Sequence, residues 1–339
     1  MRWLAPAKIN LHLRVGRRRD DGYHPLCSWM VTIGLFDRLI FKADPATRAS
    51  VGSSRSAGKD KLWDGGDAAH STSPDADPRP GESGGDASGV GVVATGLPLR
   101  CDDPTIPTDH RNLVTKAARA FAAASGARSL PWSITLLKTI PHGGGLGGGS
   151  SDAATALVAL NQLCKAGWDV NRLATVGAAV GSDVPFFFSA PSAIIRGRGE
   201  LVRRSAAPSG KWVTLVLPNF GVSTADCYRR FDELGLGGGD AEVAAEPDFA
   251  AWAKLPADQL AGKLVNDLEK PAFDLQPQLG ELRSRIERDT KHIVRMSGSG
   301  SSLFSLADDP AEAQRVASVV QHNCGVRAIA VQVAPEPAE

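Results

Sequence analysis

Alternation of apolar and polar positions opens the chain. Residues 3–15 read as a strand, in which Ala7, Ile9 and Leu11 interleave with Lys8, Asn10 and His12. Further strands are predicted at residues 26–41, 89–99, 132–137, 186–190, 193–196, 212–217, 292–296, 302–306 and 326–333. Helical spacing of apolar residues predicts helices over 112–125, 152–164, 170–180, 224–234, 257–264, 277–289 and 310–323. In 152–164 the apolar stripe is Ala153, Ala156, Leu157, Leu160 and Cys164. Gly235 to Asp248, with three consecutive glycines at 237–239, reads as a loop. Antiparallel strands first and a split β-α-β pattern last predict an α+β protein of two domains, residues 1–200 and 201–339.

One segment breaks the pattern. Residues 44–96 are dense in Gly, Ser, Pro, Ala and Asp and carry almost no periodicity. Such a stretch buries too little apolar surface to offset the entropy of ordering, so a disordered surface insertion without catalytic part is expected. Loop-closure entropy grows slowly with length, so the insertion costs the fold little. Its aromatic residue, Trp63, reads as an idle exposed side chain.

Composition narrows the function classes. With 339 residues, 42% of them hydrophobic, the chain can bury a sizeable core. A net charge of +1 gives no overall field for nucleic acid or an acidic membrane. The five cysteines lack C-x-x-C spacing, which argues against a zinc site or a disulfide framework. No apolar run of about 20 residues is present, and a motif already begins near Lys8. A cytoplasmic protein is expected.

The chemistry concentrates in Pro141-His142-Gly143-Gly144-Gly145-Leu146-Gly147-Gly148-Gly149-Ser150-Ser151-Asp152. A strand precedes this run and a helix follows it, with Ser150 or Ser151 as the expected N-cap and Asp152 in the first turn. A glycine turn feeding a helix start offers backbone N–H groups to an anion, commonly phosphate. Gly143, Gly145 and Gly148 satisfy the dinucleotide pattern G-x-G-x-x-G, with Asp169 as a nominal acid, yet no second strand carries that acid. No lysine follows Gly149, so the run is not a Walker loop. A phosphate loop of another kind is the expectation.

Two further segments complete a resemblance. Ala5 to Leu13, the glycine run, and Arg295-Met296-Ser297-Gly298-Ser299-Gly300-Ser301-Ser302 resemble, in order, the three motifs of the GHMP kinase superfamily. Asp21-Gly22-Tyr23-His24, Gly181-Ser182-Asp183-Val184-Pro185 and Asn266-Asp267-Leu268-Glu269 are similar to one branch, the non-mevalonate isoprenoid-pathway kinases that phosphorylate a cytidine diphosphate derivative. The resemblance covers nearly the whole chain outside 44–96. It implies a ribosomal-S5-like N-terminal domain and a ferredoxin-like C-terminal domain, with ATP and Mg²⁺ as cofactors.

The resemblance also implies roles. Asp183 becomes the catalytic base, although alone it reads as the cap of a turn, with Pro185 biasing Val184 toward extended backbone. Lys8 becomes its cationic partner, although alone it reads as one residue of a solvated strand face. Residues 141–151 would cradle the ATP phosphates, with Mg²⁺ near Ser150 and Ser151. Lys138, Asn112 and Leu113 would line the adenosine end. Asn10, Tyr23, His24, Thr224 and Tyr228 would bind substrate, the tyrosines offering stacking surfaces to cytosine. Ser297 to Gly300 would close over the substrate or support the glycine loop. His12 reads as structural, and Glu269 has no role legible here. Partners implied are a small-molecule substrate, no nucleic acid and no membrane, acting as a monomer or weak homodimer. Alternatives are a superfamily kinase for a mevalonate-like or sugar-like alcohol, or a non-catalytic nucleotide-binding regulator.

Overall fold

The computed structural model describes residues 1–43, 97–127 and 129–335. The predicted insertion, Trp63 and most of the strand expected at 89–99 lie outside these residues. What is described there is a short strand, Leu99–Cys101.

The first sheet contains β1 (Arg2–Val15), β2 (Leu26–Ala43), β3 (Leu99–Cys101), β4 (Trp132–Leu137), β5 (Ser192–Gly197) and β6 (Leu201–Arg204). β2 is its axis. One edge of β2 pairs antiparallel with β1, setting Lys8 opposite Thr32. Its other edge is shared, by β5 along Leu26–Val31 and by β4 along Arg38–Ala43. Helices α1 (Leu113–Ser125), α2 (Gly148–Leu163), α3 (Val170–Ala178) and α4 (Val184–Phe187) cover one face, sealing Phe121, Leu136, Leu157, Phe186 and Phe188.

A second sheet runs β10-β7-β9-β8, from β7 (Trp212–Leu217), β8 (Arg295–Met296), β9 (Leu303–Ala307) and β10 (Arg327–Gln332). The period of two decides what each face of β7 meets. Val213 and Leu215 pack with Ile9, Leu11 and Trp29 of the first sheet. Val216 faces the other way, among residues of α5 (Thr224–Glu233), α10 (Pro277–Thr290) and α11 (Pro310–Cys324). The two sheets therefore share one apolar layer, and burying both faces explains why the strands read as apolar runs. Four shorter helices, α6 (Asp240–Ala244), α7 (Phe249–Trp252), α8 (Ala257–Lys263) and α9 (Glu269–Leu275), fill the connections.

Several expectations are corrected. The strand expected at 186–190 is the short helix α4, with Asp183 at its N-cap and Pro185 in its first turn. A proline there forfeits no helical hydrogen bond, so Val184 joins the helix despite its pre-proline bias. α2 starts at Gly148 rather than Asp152, capped by Gly147 in left-handed conformation, and neither Ser150 nor Ser151 caps it. Asp152 consequently sits beyond the first turn. The loop expected at 235–248 contains α6, and β6, α7 and α9 are additions to the predicted set.

Candidate active site

The glycine run is held in shape from two sides. Lys8 N–H of β1 donates to Leu146 O at 2.9 Å, and Ser302 N–H donates to Gly144 O at 3.2 Å. The Ser297 hydroxyl donates to Gly145 O at 3.0 Å. At two positions only glycine fits. Gly147 has φ 68°, and a side chain there would come within 2.9 Å of Lys8 Cγ. Gly145 has φ 75°, and its side chain would run into the Ser297 carbonyl. The loop ends at the start of α2, whose leading N–H groups have no partner inside the helix and whose first turn carries no acid. That arrangement suits an anion.

Lys8 and Asp183 meet beside this loop, Nζ to Oδ2 at 3.3 Å. Lys8 also donates to Asn10 Oδ1 at 2.6 Å, Asn10 donates to Ser28 Oγ at 2.8 Å, and Ser28 donates to His12 O at 2.9 Å. The chain of donors fixes the orientation of the lysine. Its side chain is 5% exposed, whereas that of Asp183 is 34% exposed and faces the cleft. The strand alternation expected for Lys8, Asn10 and His12 fails at the last of them, because the register shifts between Asn10 and His12. His12 turns into an aromatic nest of Phe249 and Trp252, edge-on at 5.4 and 5.5 Å. Burial, then Arg14 and Arg295, bring its pKa down to about 4.

A cleft of about 1100 Å³ joins the loop and the pair. Pro141 to Ser150, Asn112, Leu113 and Lys138 line one part; Asn10, Tyr23, His24, Thr224 and Tyr228 line it as well. Ser151 is buried, its hydroxyl without a partner. Asn112 caps α1, accepting from Val114 N–H and donating to Pro107 O, so both ends of its amide are engaged. His24 donates from Nδ1 to Gly16 O at 2.9 Å, and its ring lies 5.1 Å from that of Tyr228. Burial, then the charge of Asp183, raise the Tyr228 phenol pKa. Thr224 and Ser299 share a hydroxyl contact of 2.8 Å.

Lys138 lines the cleft as expected, with its ammonium already engaged. Its ammonium is clamped between Asp37 and Asp152, the latter at 2.9 Å, with all three side chains buried. Burial alone would lower the Lys138 pKa, but the two carboxylates outweigh it and the net shift is upward. Desolvation raises Asp152 to about 7 against the pull of Lys138. Asp152 Oδ1 is buried without a partner, and the residue lines the cleft.

Sequence reasoning missed Asp37, which also accepts from Thr139 and Ile140 N–H. It lies 101 residues from Lys138, and no local pattern links them. The Asn266 to Glu269 motif proves to be a bracket. Asn266 donates to Met296 O and Gly298 O at 2.8 Å each, Asp267 accepts from Val15 N–H at 2.9 Å, and Glu269 accepts from Met296 N–H at 3.0 Å. Glu269 thereby acquires its role, fixing the turn that supports the glycine loop.

Comparison with known proteins gives this geometry its relatives. The profile for the GHMP kinases N terminal domain matches residues 112–190, and that for the GHMP kinases C terminal matches 245–326. A 4-diphosphocytidyl-2-C-methyl-D-erythritol kinase from a Nocardioides species is 33% identical, over 93% of this chain and 91% of its own. The chain belongs to this GHMP kinase family. The kinase of the same name from Bacillus pumilus is 32% identical over 94% of this chain and 92% of its own. A crystal structure of 4-(cytidine 5'-diphospho)-2C-methyl-D-erythritol kinase superposes with a TM-score of 0.68 at 32% identity, covering 99% of this chain and 100% of that one. The two-domain α+β architecture of GHMP kinases is thus the fold of this family member. Among the described residues no helix is long and apolar enough to cross a membrane.

Proposed function

We propose that this chain is an ATP-dependent kinase that phosphorylates the 2-hydroxyl of 4-diphosphocytidyl-2-C-methyl-D-erythritol, a step in non-mevalonate isoprenoid precursor synthesis. The observation that carries the reading is the Lys8–Asp183 pair, 3.3 Å apart and in one cleft with the glycine loop. Asp183 accepts the proton of the acceptor hydroxyl. Lys8, 3.3 Å away, holds the developing alkoxide. Asn10, already oriented by Ser28, positions the polyol. Phosphoryl transfer asks the protein chiefly for positioning and charge stabilisation. The N–H groups at the start of α2 and the bare backbone of residues 143–149 hold the phosphates.

Magnesium fits the residues present. Asp152 and Ser150 line the cleft with hard oxygen donors, one carboxylate oxygen of Asp152 being buried without a partner, and Ser151 adds a buried unpartnered hydroxyl. Mg²⁺ is commonly held by one or two carboxylates together with substrate phosphates. Asp152 with Ser150 would hold it, and the ion would neutralise phosphate charge. Among the described residues no cluster of three or more acidic, histidine or cysteine side chains offers another site.

The same cleft carries the aromatic group Tyr23, His24 and Tyr228, which supports cytosine as the base. The near-neutral net charge supports a small-molecule substrate over nucleic acid. The enzyme works in the cytoplasm as a monomer or weak homodimer. ADP release measured side by side with the cytidine substrate, mevalonate derivatives and common sugars tests the assignment. Turnover with the cytidine compound alone is expected; preference for mevalonate or a sugar would overturn it.

A further inference from the structure

We propose that Arg198 binds the diphosphate of the cytidine-linked substrate and so sets its specificity, an inference that rests on the reading above. A substrate with a base at one end and the reacting hydroxyl at the other must run its diphosphate between the base slot and the catalytic pair. Arg198 occupies the tip of the β5–β6 hairpin, and that tip spans this interval. On one side its guanidinium lies over the Tyr23 ring, 5.0 Å from the centroid. On the other, a side chain on Gly199 would stand 3.7 Å from Ser182 Cβ, next to Asp183. Gly197 and Gly199 have φ of 71° and 114°, and Arg198 N–H donates to Glu200 Oε2 at 2.5 Å, so the turn is shaped to present the arginine.

The other cations on the cleft are committed. Lys8 is held by Asn10 and Asp183, and Lys138 by Asp37 and Asp152. Arg111 is forked onto Asp109 at 2.9–3.1 Å, and Arg229 pairs with Asp226 at 2.7 Å. Arg18, with Asp232 at 3.9 Å, differs from Arg198 only in that its Nε is already spent on Gly22 O at 3.0 Å. Arg198 has a carboxylate only at 3.9 Å, from Asp21, and its side chain is 51% exposed. A diphosphate needs cationic hydrogen-bond donors, and a planar guanidinium fork matches two of its oxygens at once.

Calorimetric titration with CDP and with cytidine tests this, on the wild type, Arg198→Ala and Arg198→Lys. The expected result is that Arg198→Ala loses about 10- to 100-fold in CDP affinity and almost none in cytidine affinity, the scale of one charge-assisted pair. Arg198→Lys should fall between, since it keeps the charge and loses the fork. KM for the cytidine substrate should rise by a similar factor while KM for ATP stays within about twofold. Unchanged CDP affinity, or equal losses for CDP and cytidine, would overturn the proposal while leaving the kinase assignment standing. A wild type that binds neither CDP nor cytidine would overturn the assignment and this inference with it.

Discussion

Lys8 and Asp183 both line the cleft, but the lysine side chain is 5% exposed and that of the aspartate 34%, an asymmetry that suits holding in the one and reacting in the other. Asp183→Asn removes the proposed proton acceptor without emptying the cleft. It should lower kcat by about 10²–10⁴ while affinity for a fluorescent ATP analogue holds, which stopped-flow and equilibrium titration would check. The two tyrosines should part company. Tyr23 is 56% exposed, so Tyr23→Ala should raise KM for the cytidine substrate and leave the melting temperature nearly unmoved. Tyr228 packs from α5 against the edge of the core, so Tyr228→Ala should also destabilise by about 1–3 kcal/mol in chemical denaturation. At this scale the sequence named Lys8, Asp183 and Tyr23 through motifs. It left Asp37 and Arg198 unseen: one meets its partner only through the tertiary fold, and the other owes its place to a hairpin not predicted at all.

Elements with local signatures were legible. β4 and β7 carry the predicted bounds, and α1 begins where Asn112 offers its cap. Elements ruled by backbone freedom were not, and α4 and the early start of α2 both came from glycine or proline positions with two permitted readings. The start of α2 is also where strain should be measurable. Gly145→Ala meets the Ser297 carbonyl, whereas Gly143→Ala meets nothing within 4 Å although its φ is 74°. Gly143→Ala should cost about 1 kcal/mol of backbone strain. Gly145→Ala should cost clearly more, lower the melting temperature by several degrees and raise KM for ATP. Asp152 gives the same helix a pH signature. Its pKa of about 7 lies above the unfolded value of 3.8, so the folded state binds the extra proton between them. Relative to Asp152→Asn, wild-type stability should therefore be greatest below about pH 4 and decline as pH rises to about 7. Denaturant titrations across that range would read it, and a flat difference would contradict the shift.

At the scale of the molecule, an α+β fold of two sheets followed from the order of strands and helices, but their shared layer did not. Periodicity shows that a face is buried and not which distant strand buries it. The flanks of residues 44–96 show what the fold asks of that segment. β2 and β3 lie on either side of β4, with Ala43 opposite Trp132 and Leu99 opposite Ile134. Two inter-strand spacings, about 10 Å, separate such neighbours. Replacing residues 50–91 with a short Gly/Ser linker should accordingly leave kcat and melting temperature close to those of the full chain. Loss of turnover in that variant would give the insertion a function.

The strap from Ser297 to Ser302 has a consequence for biosynthesis. A polypeptide broken off before Ser297 contains every glycine of residues 143–149 yet lacks the hydroxyl and amide that fasten Gly145 and Gly144. On the ribosome, the glycine loop therefore lacks these fastenings until residues 297–302 have been made, and an anion bound there would stabilise the chain only after that point.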